Sequence, residues 1–229
     1  MRMFWIFTAI LMHCCVSFPA VAQDLIKPKK MTFSYVNHPV IVDELIPIVR
    51  QAYASLGIDT QFVEQPSDRN LRAIKKGLVD GDVVFSRLLV KKYPELLLIE
   101  PPLVRSIFLL LCQPQLPCNK SILSDPKKLI ASTGASQNGL IETFGKQLKV
   151  NFYLINNLAV IPQLITEKRF DYGIYVMNAK QLEQVNQNDF HYLELFRTDS
   201  FHILHPKYAF LKADVERALR EVMAKSESE

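Results

Sequence analysis

The sequence is short of the groups on which catalysis and metal binding usually rest. It has 229 residues, with only four cysteines and five histidines. It contains no G-x-S-x-G elbow, no H-E-x-x-H, no C-x-x-C and no spaced pair of acids to divide acid and base roles. No catalytic residue can be named, so the chain is expected to be no enzyme and to need no cofactor. His202 and His205 in "FHILH" are three apart on an expected strand and point to opposite faces, and His191 has no partner in sequence, so no metal site is expected. Charge of one sign is also missing: 27 Lys and Arg stand against 23 Asp and Glu, scattered along the chain. Without a basic stripe there is no case for nucleic acid. Low-complexity segments and short-period repeats are absent as well.

What is present begins with a leader. Arg2 is followed by the apolar run "MFWIFTAILMHCCVSF" and then Pro19-Ala20-Val21-Ala22, the pattern of a secretory signal peptide over residues 1–22, cut before Gln23. A retained membrane anchor is the competing reading, but the run is short for a span and ends in small residues. Cys14 and Cys15 lie inside it without the small residues that precede a lipidated cysteine. The remainder is long enough for one large or two small domains. It keeps Cys112 and Cys118 in "CQPQLPC". In an oxidising compartment this loop most simply closes as a disulfide worth about 2 kcal/mol; a metal pair or redox thiol lacks a supporting histidine or C-x-x-C spacing.

Hydrophobic periodicity gives the order of elements. "MTFSYV" reads as a strand, and Asp43 can cap the helix "ELIPIVRQAYASL", which Gly57 ends. "TQFVEQ" is a strand, Ser67 or Asp68 starts the helix "RNLRAIKK", and "DVVFS" is a third strand. "ELLLIE" and "RSIFLLLC" follow as two more strands. Beyond the cysteine loop the alternation restarts: strand "KKLIAS", loop "GASQNG", helix "LIETFGKQL", strand "NFYLI", a helix through "IPQLITEK", and strand "DYGIYV". A short helix "NAKQLEQV", strand "HYLELF", extended "SFHILHP" and helix "ADVERALREVMA" complete the chain. Strands alternating with helices predict an α/β protein with mixed sheets and flanking helices.

The ordered series of leader, β-α-β-α-β opening, "IKKGLVDGDVVFSR", "YPELLLIEPPLV", "LIASTGASQNG" and "EKRFDYGIYV" resembles the periplasmic solute-binding proteins of family 3, the type II two-lobe proteins, many of which serve amino-acid ABC transporters. The resemblance covers nearly the whole mature chain and implies a ligand cleft that closes by hinge motion at two crossing segments. These would lie near Leu111–Pro117 and Thr198–His205. Lobe 1 would then comprise 24–112 plus 204–229, lobe 2 113–203, with the disulfide beside one crossing.

Site residues follow from that series. Ser86 keeps the hydroxyl that ends the corresponding strand in amino-acid-binding members, Arg87 stands where a small residue is usual, and Lys92 falls near the usual carboxylate-binding arginine. Arg87 at a strand's carboxyl end suits an anion in the crevice, or else a surface pair with Asp80, Asp82 or Glu64. In "STGASQNG", Thr133, Gly134 and Ser136 can turn N–H groups and hydroxyls toward an anion at a helix start, or simply form a capped glycine turn. "SYVNHP" offers Tyr35 for stacking and Asn37 or His38 as polar contacts, though Tyr35 can equally pack beneath the sheet. Asp171 begins the strand "DYGIYV", whereas Asn178 occupies the place where such members usually carry an ammonium-binding aspartate.

The resulting expectation is a monomeric periplasmic protein that captures a small polar ligand, anionic or zwitterionic, for an inner-membrane ABC permease. The alternative is a sensory accessory on the same fold that signals to a membrane receptor.

Overall fold

The computed structural model describes residues 26–90, 92–184 and 189–226. The signal-peptide reading therefore lies outside the described residues. The chain forms β1 (Lys30–Tyr35), a π-helical turn Val40–Leu45 leading into α1 (Ile46–Ser55), β2 (Asp59–Glu64), α2 (Ser67–Lys75), β3 (Gly81–Ser86), α3 (Arg87–Val90) and β4 (Leu97–Cys112). It continues with β5 (Leu129–Ser132), α4 (Gly134–Phe144), β6 (Asn151–Leu154), α5 (Ile161–Thr166), β7 (Tyr172–Met177), α6 (Ala179–Glu183), β8 (His191–Leu204) and α7 (Lys212–Ser226). The eight strands make one sheet in the order β2-β1-β3-β8-β4-β7-β5-β6. β1 pairs in parallel with β2 and β3, and β5 with β6 and β7, while the long β4 and β8 run antiparallel to each other.

Gly57 and Gly77 end their helices at positive φ, 71° and 67°, where a side chain would be strained. Asp43 does not cap α1; it lies inside the π-helical turn, which begins after Pro39. Three other expectations are corrected. "ELLLIE" and "RSIFLLLC" are a single strand, because both flank Pro101-Pro102 and pair with the same partner, β8, with a register shift between Ile99 and Val104. Prolines cannot donate to the ladder, so it breaks there without ending the strand. "HYLELF" and "SFHILHP" likewise merge into β8. "GASQNG" is not a loop but the start of α4, capped by Thr133, whose side chain accepts from the Ser136 N–H at 3.2 Å.

The core divides between the two ends of the sheet. On one, Val49 and Tyr53 of α1 and Val215 and Leu219 of α7 pack on Met31 and Phe33, while Ile74 of α2 and Leu89 of α3 pack with Phe85 and Ile203. On the other, alternation along β4 serves both faces. Phe108, Leu110 and Cys112 pack with Ile130, Leu140 and Tyr172, whereas Ile107, Leu109 and Leu111 pack with Ile161, Ile165 and Tyr175. Residues Ile107–Cys112 are thus paired with β7 through the segment expected to open the first crossing. Cys112 and Cys118 form a disulfide with Cα atoms 5.7 Å apart.

Candidate functional site

In open α/β sheets, loops after parallel strands meet at the carboxyl edge. Here the segments following β1, β3 and β5 do so from both ends of the sheet. They border a half-open cavity of about 130 Å³ whose polar lining is His38, Asn70, Ser86, Thr133, Ser136, Ser106 and Ser200. Apolar surface comes from residues such as Ile41, Val84, Leu89, Phe108, Leu158 and Val176. An adjoining space of about 80 Å³ shares His38, Ile41, Ser106, Leu158 and Ser200, and extends to Met177 and Asn178. Neither lining includes an Asp, Glu, Lys or Arg among the described residues.

The polar groups are held by specific partners. Thr133 donates its hydroxyl to Ser136 Oγ at 2.9 Å, and Ser106 and Ser200 share a hydroxyl bond of 2.9 Å across β4 and β8. Ser86 Oγ accepts from the Leu88 N–H at 3.3 Å, the first turn of α3. His38 is buried, bonds the backbone of Val176 on β7 and has its pKa lowered to about 4, chiefly because burial penalises the charged ring. The imidazole is neutral, and it links the segment after β1 to the far end of the sheet. Behind Asn70 lies Asp82, whose carboxylate accepts from Ser34 Oγ at 2.6 Å, Asn70 Nδ2 at 2.7 Å and the Val84 N–H at 3.1 Å. Burial raises its pKa to about 7 against the opposing pull of these donors.

Of the residues expected from sequence, His38, Ser86, Thr133 and Ser136 come together in the cavity, and Asn178 borders the adjoining space. Asn178 also caps α6 in a reciprocal bond with Gln181 and lies 3.5 Å from Glu44 through Nδ2. Gly134 begins α4 beside the cavity without lining it. The others stand apart. Tyr35 borders an outer groove with Arg50 and Phe62, and Asn37 donates to Glu64 at 3.3 Å on the surface. Arg87 reaches neither the cavity nor any of its three expected acidic partners: it pairs with Glu100 at 3.3 Å and lies 4.2 Å above the Phe201 ring. Lys92 pairs with Glu142 of α4 at 2.7 Å.

Asn70, Ser106 and Ser200 were not singled out from sequence. Asn70 had a signal, since it shares a helical face with the buried Ala73 and Ile74 at i+3 and i+4, where a polar residue needs a reason.

No protein-family model and no curated protein matches the sequence. Solved structures do match in shape. The arginine-bound form of truncated arginine-binding protein from T. maritima superposes with a TM-score of 0.67 at 11% identity, covering 85% of this chain and 96% of that one. The GluR0 ligand-binding core from Nostoc punctiforme, in complex with L-glutamate, gives 0.66 at 15% identity over 86% and 94%. The ancestral amino-acid-binding protein AncCDT-1, described as a precursor of cyclohexadienyl dehydratase, gives 0.66 at 13% over 86% and 91%. The chain shares the α/β fold of these ligand-binding structures, the fold class expected from its sequence.

Proposed function

We propose that this is a periplasmic solute-binding protein that closes two lobes over a small polar ligand and hands it to an inner-membrane ABC permease. The observation that carries the reading is the half-open cavity built from residues of both ends of the sheet at the carboxyl edges of its strands. Such a cavity, mostly apolar with a few converging polar groups, is the usual form of a small-molecule site. Among the described residues, no helix is long and apolar enough to cross a membrane.

Packing supports a lobe division that falls earlier than the sequence suggests. Phe108 onward in β4 packs with the second core and Ile203 and Leu204 of β8 with the first, so the crossings are proposed near Glu100–Ser106 and Arg197–Phe201. The expected anionic or zwitterionic ligand would meet no charged side chain in the lining. A sensory role would use the same cleft, with a membrane receptor in place of the permease.

The test is small-angle scattering and thermal melting of the mature protein against a broad panel of amino acids, carboxylates, amides, amines and sugars. A ligand that compacts the protein and raises its melting temperature supports the reading, because preferential binding to the folded state must stabilise it. A protein that neither compacts nor stabilises with any solute overturns it.

A further inference from the structure

Among the described residues, two buried side-chain atoms have no hydrogen-bond partner: Nε2 of His38 and Oδ1 of Asn70. Both residues line the same cavity, and they are only 4% and 1% exposed. Buried polar groups are nearly always paired, so two orphans on one cavity call for a molecule that completes them.

What that molecule must offer follows from the other end of each side chain. Once ionised, above its pKa of about 7, the Asp82 carboxylate can only accept, and it gathers donors from Ser34 and Val84, so the Asn70 amide turns its nitrogen toward it. That leaves Oδ1, an acceptor. His38 gives a ring N–H to the Val176 backbone, and a neutral imidazole has only one, so its Nε2 is an acceptor too. A carboxylate would bring more acceptors to a wall already short of donors. The lining has no Lys or Arg to offset this, and the carboxyl of Asp82 stands behind Asn70.

We propose that the cleft selects a compact ligand through an N–H donor group, an amine or a carboxamide, whose hydrogens go to His38 Nε2 and Asn70 Oδ1. Its apolar body rests on residues such as Ile41, Val84, Phe108 and Leu158. The inference rests on the proposed role of the cleft as a ligand site.

The experiment compares isobutylamine, isobutyramide and isobutyrate, equal in skeleton and different in head group, by thermal shift and calorimetry on the whole mature protein at about pH 8, where Asp82 is ionised. Binding of the amine or the amide, with isobutyrate weaker by about tenfold or more, is expected, because an acceptor-lined site rejects a group that leaves its atoms unpaired. Which of the two binds tells a charged donor from a neutral one. His38→Phe should then weaken that binding by about tenfold, the cost of one buried bond, while leaving the unliganded protein folded. Asn70→Leu should act alike; should it fail to fold, His38→Phe decides alone.

Isobutyrate binding as tightly as the other two, or His38→Phe binding within twofold of the parent, overturns the proposal. So does a panel ligand that closes the lobes yet lacks an N–H donor, and in that case the cleft remains a ligand site. A panel in which nothing closes them removes the ligand site itself.

Discussion

Lys92 Nζ lies 2.7 Å from Glu142 Oε1 and ties the segment after α3 to α4, elements that pack on opposite ends of the sheet. The pair is partly exposed, and such pairs contribute only about 0.2–1 kcal/mol. Lys92→Ala should therefore weaken ligand binding by no more than about threefold, through a less favoured closed state. Raising the salt concentration should do the same to the parent and little to the variant. Titrations of both proteins at two salt concentrations test this, and a loss beyond tenfold would make Lys92 a direct ligand contact.

Arg87 presents the opposite case, a residue whose position in sequence points to a ligand and whose side chain points elsewhere. Its guanidinium covers Phe201 at 4.2 Å and reaches Glu100 at 3.3 Å with nearly half its surface in water. Arg87→Ala is expected to leave ligand affinity within about twofold and to cost at most about 1 kcal/mol of stability, the size of an exposed cation–π contact and a surface pair. Urea unfolding and calorimetry on the same variant separate the two effects, and an affinity loss with unchanged stability would restore Arg87 as an anchor.

The contrast between these residues marks what sequence could reveal. Strand and helix order came from local periodicity, and the apolar run in "RSIFLLLC" marked a strand whose two buried faces the packing then separates. That His38, Ser86, Thr133 and Ser136 line the cavity was legible because each ends or follows a strand, at the carboxyl edge of the sheet. Ser106 and Ser200 were not, because their 2.9 Å bond depends on the register of two strands whose residues are 94 apart in the chain. The merging of β4 across Pro101-Pro102 was hidden for a similar reason. Proline is a local stop signal, and the strand continues only because β8 spans the break.

The disulfide should support stability and leave binding alone. Cys112 is fully buried in the second core, four residues beyond the cavity-lining Phe108, or roughly 13 Å along an extended strand. Cys118→Ser is expected to destabilise the protein by about 2 kcal/mol by freeing the short loop in the unfolded chain. Ligand affinity should stay unchanged. Denaturation with and without reductant, paired with a binding titration, checks both halves. A variant that binds differently at equal stability would instead place the loop in the hinge.

Three buried titratable groups set opposing pH dependences. His38 and His202 have pKa values lowered to about 4 from 6.5, mainly by burial, so between these values the unfolded chain takes up protons that the folded chain refuses. Their contribution to stability rises with pH across that window. Asp82 is raised by burial to about 7 from 3.8, so over that range the folded chain keeps a proton that the unfolded chain has released, and its contribution falls as pH rises. Two rising terms against one falling term predict a net gain in stability from about pH 4 to 6.5 and a small decline from 6.5 to 7. Asp82→Asn keeps a side chain that can accept from Ser34 but removes the falling term. The variant should gain stability more steeply up to pH 6.5 and show no decline beyond it. Urea midpoints for both proteins across this range test the assignment, and parallel profiles would mean that Asp82 does not titrate there.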